Sequence, residues 1–456
     1  MSKLNQKAVS TPVFTHEGMR VNRTSNFNQL KRAVLTTFLW ENNAYESGTS
    51  VADRIKDLIP KVDPQLVAAL AIVAREDYKL RHTPLFLVRE MARLENARPF
   101  VAETLARVIQ RPDELSEFLA MYWTPSKCPL ANSVKKGLAK AFTKFDAYSL
   151  AKYNQNNVIK LRDVLFLCHA KPINAEQEAI WKQLINNTLP VPSTWETQLS
   201  FSNKKETWEK LLVNNELGAL ALLRNLRNMR ESNVNQDLII NALRTMKVER
   251  VLPFRFITAA RYYPQLESEL ENSMFKCVEG ATRLAGKTAL IVDTSPSMWM
   301  AKISANSDMD RFEAASALAI LLREICEKVN VYAFNRKAYQ IPSRRGFALR
   351  DAIASTKNEF SCGSLAIDMA NKDGYDRIIC LTDGQWHNVD GNGNPIPQHF
   401  GLKPGTDYSP LKGSKAYMIN VANNQNGVGY TKDWNNVDGF SEAIVDYIKF
   451  LEAMQD

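Results

Sequence analysis

Asp293, Ser295 and Ser297 form a D-x-S-x-S pattern in the segment DTSPSM, directly after the apolar run TALIVD. Asp383 follows a second apolar run, in CLTDG, and Ser364 stands in CGSLAID. In open α/β sheets the loops at the carboxyl ends of the strands converge on one crevice, so these five oxygen donors can face a single ion. Two carboxylates and three hydroxyls suit a hard divalent cation. Mg2+ fits best, because it prefers oxygen at near-octahedral geometry and keeps some of its waters. Few charged ligands leave the ion electrophilic, so an acidic group of a protein partner can take an open position. That is capture chemistry rather than catalysis. Either aspartate alone is better explained as a cap of the turn that follows it; their joint occurrence favours a metal.

A second group of residues is suited to polyanions. In SVKKGLAKAFTKF, Lys136, Lys140 and Lys144 recur every four residues and Lys135 flanks them, which places a cationic stripe on one helix face. An unpaired stripe can follow a phosphate backbone, with Ala139, Phe142 and Phe145 left for the core; the plainer reading is a solvated helix face. Arg224, Arg227 and Arg230 supply guanidiniums from one helix, for phosphate forks or for capping carbonyls. Tyr122, Trp123 and Tyr153 could stack on unpaired bases, although aromatics at helical spacing mostly serve a core.

The net charge of +9 is unevenly divided. Residues 1–284 hold 40 Lys and Arg against 29 Asp and Glu, whereas residues 285–456 hold 18 against 20. The positive field therefore belongs to the first part, as expected of a surface that displaces counterions from phosphates. Six dispersed cysteines with no CxxC pair, and five dispersed histidines, give neither a disulfide framework nor a zinc spacing, so buried free thiols are expected. No apolar run approaches the roughly 20 residues that cross a bilayer, and no leader-like h-region follows Met1. A cytoplasmic, monomeric protein is expected, with no membrane contact. Neither a P-loop nor a nucleophile with a paired base is evident, so an enzyme is not expected.

The elements that must position these residues fall into two rhythms. Up to about residue 284 the chain reads as successive short helices, with Asp63-Pro64 and Thr83-Pro84 each placing a capping oxygen before a proline suited to the first helical position. The helix after Pro64 is apolar nearly all round, which predicts a helix sandwiched in a stacked array. The Pro-rich stretch 189–205 reads as a loop. After Gly286, strand-length apolar runs alternate with amphipathic helices, the pattern of a parallel sheet flanked by helices. Strands are expected at 288–293, 329–335, 376–383 and 415–422. Helices are expected at about 310–328, 347–356, 365–372 and 441–454, the last capped by Ser441.

The D-x-S-x-S and T-D-G motifs resemble the metal-ion-dependent adhesion site of von Willebrand factor A domains over 286–456, with Ser364 where many such domains carry threonine. The helical part is similar to the TROVE module in the stretches QLKRAVLTTFLWENNAYESG, LRDVLFLCHAKP, ALLRNLRNM and VLPFRFITAARYY. The two in series resemble the Ro ribonucleoprotein family. The resemblance implies a multidomain α and α/β protein: a HEAT-like helical-repeat ring over 1–284, and a C-terminal Rossmann-like von Willebrand A-type domain over 285–456. It further implies binding of small structured non-coding (Y-like) RNA on an outer basic surface and of single-stranded RNA ends in a central cavity. By the same similarity His169 and Lys152 fall on RNA-facing positions, whereas a further basic position of the family falls on Asn156. The alternative is a metal-dependent scaffold that captures an acidic protein partner.

Overall fold

The computed structural model describes residues 13–14, 20–21, 25–36, 48–154, 158–190, 192–199, 204–248, 251, 254–280, 282–300, 302, 309–357, 361–386, 388–389, 395–396, 409–422, 427–428, 433–439 and 443–453. Asn156 and Ser441 lie outside them. The described residues pack as two compact units. One is built on Gly48–Leu217; the other joins Met1–Thr37 to Gly218–Asp456. The change of rhythm at Leu284 thus does not coincide with a change of packing unit.

The first unit is helical. Asp63 caps the Pro64–Glu76 helix by accepting from the Gln65 N–H at 2.7 Å, as its sequence predicts. That helix is not buried all round: Val67, Ala68, Leu70, Ala71 and Ala74 face the core, while Leu66 and Val73 are exposed. Total apolarity alone cannot say which faces a neighbour covers. The next helix, His82–Arg93, starts one residue before Thr83, and Arg81 at its N-cap makes no side-chain cap bond. Pro84 is still tolerated there, because a first-turn residue has no intrahelical partner for the N–H that proline lacks. Part of the stretch expected as a loop is helical, at Trp195–Leu199 and from Lys204 onward.

The lysine-rich helix, Asn132–Phe142, turns Val134, Leu138, Ala141 and Phe142 into the core. A Cβ at Gly137 would stand 2.9 Å from both the Ala102 carbonyl and the Leu105 Cβ. This close approach seats the helix against its neighbour, Arg98–Val108, and brings Lys140 within reach of Glu103 on it.

In the second unit we number six strands: β1 Leu284–Asp293, β2 Cys326–Phe334, β3 Ala338–Ile341, β4 Arg377–Thr382, β5 Lys415–Asn420 and β6 Asn435–Asp438. Their order is β6-β5-β4-β1-β2-β3. All neighbours are parallel except β2 and β3, so the sheet is mixed, with an antiparallel edge that the sequence reading omitted along with β6. Both omitted strands are four residues long, too short for an alternation to register. Leu290, Ile291, Val292 and Ile378 to Leu381 are fully buried, as expected of central strands covered on both faces. Helices at Arg311–Ile325, Gly346–Ala354, Gly363–Asp373 and Ala443–Ala453 match the four expected.

Candidate metal centre and cationic faces

The chain passes from β1 to β2 on one side of the sheet and later returns to β4 on the other, so the loops after β1 and β4 open at a topological switch point. Val292 is in register with Leu381, which brings Asp293 and Asp383 to the same end of adjacent strands. Both carboxylates are fully buried, and Ser295, Ser297 and Ser364 are buried as well. The Ser295 N–H donates to Asp293 Oδ1 at 2.9 Å, and the Ser295 and Ser297 hydroxyls lie 3.3 Å apart. The Gln385 N–H donates to Asp383 Oδ1 at 3.1 Å. Both aspartates therefore make the turn-capping bonds of the plainer reading. Capping uses only one oxygen of each.

Several neighbours were not anticipated. The Thr382 hydroxyl donates to Asp293 Oδ2 at 2.6 Å, and Ser361 Oγ approaches the same oxygen at 3.5 Å. Trp386 donates its indole N–H to Thr382 Oγ1 at 2.9 Å, and a Cβ on Gly363 would collide with that indole at 2.4 Å. Gly363 thereby lets the loop carrying Ser364 close over the tryptophan. The threonine of T-D-G was visible in the sequence; the glycine and the tryptophan gave no comparable signal. Arg311, also buried, holds its guanidinium 3.9 Å from Asp383 Oδ2 and offsets part of the local negative charge.

The residues present fit a divalent cation on two counts. Burial, reinforced by the neighbouring Asp383 carboxylate, pushes Asp293 up to about 7, the signature of two anions held close without enough positive charge. Ser364 Oγ is buried with no hydrogen-bond partner among the described residues, an uncommon situation that a metal ligand would resolve. Among the described residues no group of three or more His, Cys, Asp or Glu is arranged to hold a metal. Cys362 and Cys380 are inert neighbours: burial, with Asp293 nearby, pushes the Cys362 thiol up to about 12 and the Cys380 thiol well above its usual range. All six cysteines are free; Cys128 alone is exposed and Cys277 intermediate.

The structure divides the lysine stripe. Lys144 turns inward and donates to the Ala106 and Ile109 carbonyls at the end of the Arg98–Val108 helix, and burial lowers its pKa. Lys140 forms an ion pair with Glu103 at 2.5 Å. The expected unpaired run is therefore corrected: of the stripe at four-residue spacing, Lys140 meets an acid and Lys144 meets carbonyls of the neighbouring helix and its end. Lys135 and Lys136 have no ion-pair partner among the described residues, and Lys136 is exposed. His169 ends the Leu161–Cys168 helix in the left-handed conformation, φ 52°, with its side chain exposed rather than in the core. Lys152 lies 5.8 Å over the Tyr153 ring, which Arg111 also covers at 4.6 Å. Tyr122 is buried.

In the second unit Arg224, Arg227 and Arg230 are all exposed on the Ala219–Glu231 helix. Arg227 pairs with Glu231 at 2.9 Å and covers Tyr262, while Arg230 donates to the Tyr262 carbonyl at 3.1 Å. Carbonyl capping thus describes Arg230, whereas Arg224 is left for other partners.

A helical array joined to a six-stranded, mostly parallel sheet with an oxygen cluster at its switch point defines the class of protein. A sequence model of the TROVE domain matches residues 5–188 and 187–328, and the chain belongs to the TROVE domain family. It is 21% identical over 350 residues to telomerase protein component 1 of Rattus norvegicus, an alignment covering 55% of this chain and 13% of that protein. The mouse protein of the same name is 35% identical over 88 residues, 18% of this chain and 3% of its own length. The chain thus spans a small fraction of these curated relatives. Its fold matches the crystal structure of the Deinococcus radiodurans Ro (RSR) protein, with a TM-score of 0.60 at 16% identity, over 93% of this chain and 98% of that one. Among the described residues no helix is long and apolar enough to cross a membrane.

Proposed function

We propose that this chain is a non-catalytic RNA-binding component of a ribonucleoprotein. Membership of the TROVE family and the basic excess of residues 1–284 support the reading. The observation that carries it is the pair Lys135 and Lys136, which lack ion-pair partners among the described residues, with Lys135 and His169 lining one pocket. Phosphates are the natural counter-charge for such a group. Small structured Y-like RNA on the outer surface, single-stranded ends in the cavity of the implied ring, and a role in RNA scaffolding or quality control are the finer form of the proposal. Filter binding at low salt to a stem-loop and to single-stranded RNA tests it. Affinity for at least one, falling as salt rises, is expected; none for either would overturn it.

A second reading concerns the oxygen cluster. Asp293, Ser295, Ser297, Ser364 and Asp383 would hold Mg2+, and the ion would offer an open position to an acidic side chain of a protein partner. Buried Ser364 Oγ favours this reading. Magnesium-dependent retention of a partner that Asp293→Ala abolishes would support it, and retention indifferent to that substitution would overturn it.

A further inference from the structure

A pocket of about 590 Å3 lies in the helical unit, lined in part by Trp123, Lys127, Cys128, Lys135, Phe166 and His169. Its size falls in the roughly 300–1,000 Å3 range of small-ligand sites. No Asp or Glu is among its described lining residues. The lining combines two chemistries, aromatic and basic. Trp123 is fixed by its indole N–H, which donates to the Cys128 carbonyl at 2.8 Å, and the Lys127 ammonium sits 4.8 Å over the indole ring. Phe166 belongs to a helix whose core face is Leu161, Val164, Leu165 and Cys168; it projects off that face and is 57% exposed. The left-handed turn at His169 ends that helix beside the same pocket.

A lining that combines aromatic and apolar side chains with two lysines and a histidine matches one kind of ligand: a flat ring carrying phosphate on either side. We propose that this pocket captures a single unstacked nucleobase of RNA, the base lying against Trp123 and Phe166 and its flanking phosphates on Lys127, Lys135 and His169. The proposal rests on the RNA-binding reading above and narrows it, since a base within a duplex is stacked between its neighbours and cannot enter. Stacking tolerates any base, so weak sequence preference accompanies it.

Cys128 lines the pocket and is the one cysteine in the exposed class, which makes it a reporter. The rate of maleimide labelling at Cys128 in the full chain is read by mass spectrometry, alone and with saturating single-stranded oligouridylate, the same oligomer with abasic riboses, a blunt duplex, or polyglutamate. Oligouridylate should slow labelling several-fold and the other three should not. Trp123→Leu and Phe166→Leu, each verified as folded by circular dichroism, should weaken oligouridylate binding roughly 5- to 100-fold, on the scale of a lost base–aromatic stack, with duplex affinity kept. Oligouridylate bound on filters without protection of Cys128 would overturn the pocket and leave RNA binding standing. Equal protection by abasic oligomer, duplex or polyglutamate would overturn base capture. Absence of any RNA binding would overturn both readings.

Discussion

The Arg32 guanidinium meets the Asp438 carboxylate at 2.8 Å, across 406 positions of sequence, with both side chains 1% exposed. The pair fastens the Asn26–Leu35 helix to β6 at the sheet edge, and Lys31 approaches the second carboxylate oxygen at 3.6 Å. Removing one partner of a buried pair costs about 3–5 kcal/mol, and Lys31, which stays 3.6 Å from the Asp438 carboxylate, sets the loss at the lower end of that range. Arg32→Ala is therefore expected to lower stability by about that much in urea unfolding. The double variant Arg32→Met, Asp438→Leu should recover most of the loss, because it removes both charges together. A loss well under 1 kcal/mol for the single variant would contradict this role.

Lys144 and Lys136 should separate in experiment although both were read from one stripe. Lys144 donates to helix-terminal carbonyls, so Lys144→Ala is expected to cost about 1 kcal/mol of stability. It should leave RNA affinity unchanged. Lys136→Ala should leave the melting temperature unchanged and weaken RNA binding. The opposite assignment of the two effects would show that the inward turn of Lys144 is not what places it.

Mg2+ should stabilise the protein if the oxygen cluster holds it. An ion that binds only the folded chain adds about 2.7 kcal/mol at a hundredfold excess over its dissociation constant. Thermal unfolding should therefore shift upward with Mg2+ and return with chelator, and Asp293→Ala or Asp383→Ala should abolish the shift. Ser364→Ala should reduce it. A melting temperature indifferent to Mg2+ and chelator would remove the metal from the account.

Asp310 gives a pH dependence with a defined sign. It caps the Arg311–Ile325 helix by accepting from the Glu313 N–H at 2.8 Å, while Glu313 accepts from the Asp310 N–H in return. Burial pushes its carboxyl up to about 6, against the pull of Arg261 and Lys357. A group that holds its proton more tightly when folded contributes stability fully below its unfolded value, near 3.8, and that contribution is lost as pH rises through about 6. Asp310→Asn keeps a capping oxygen but does not titrate. Urea unfolding across this window should show a flatter profile for the variant than for the parent chain; parallel profiles would contradict the assignment.

What could be read in the sequence followed periodicity and motif. Four apolar runs gave four of the six strands of the sheet, and the D-x-S-x-S and T-D-G motifs follow strands whose register sets Asp293 and Asp383 at the same end of neighbouring strands. What was missed depends on packing between distant elements. Arg311, the first residue of its helix, comes within 3.9 Å of Asp383, and Gly363 matters only because Trp386 lies against it. The partners of Lys140 and Lys144, an acid and two carbonyls of the neighbouring helix and its end, are brought close by the tight approach at Gly137, which no local spacing encodes. Helical spacing identifies a face; whether that face meets solvent is decided elsewhere in the chain.

RNA affinity as a function of salt, for the parent chain and for Lys135→Ala, Lys136→Ala, tests the central claim most directly. Each lysine that neutralises a phosphate adds close to one unit to the slope of log affinity against log salt. The parent chain should bind RNA with a steep negative slope, and the double variant should bind more weakly with a slope shallower by about 1–2 units. Binding that is absent, independent of salt, or identical in the two proteins would contradict it.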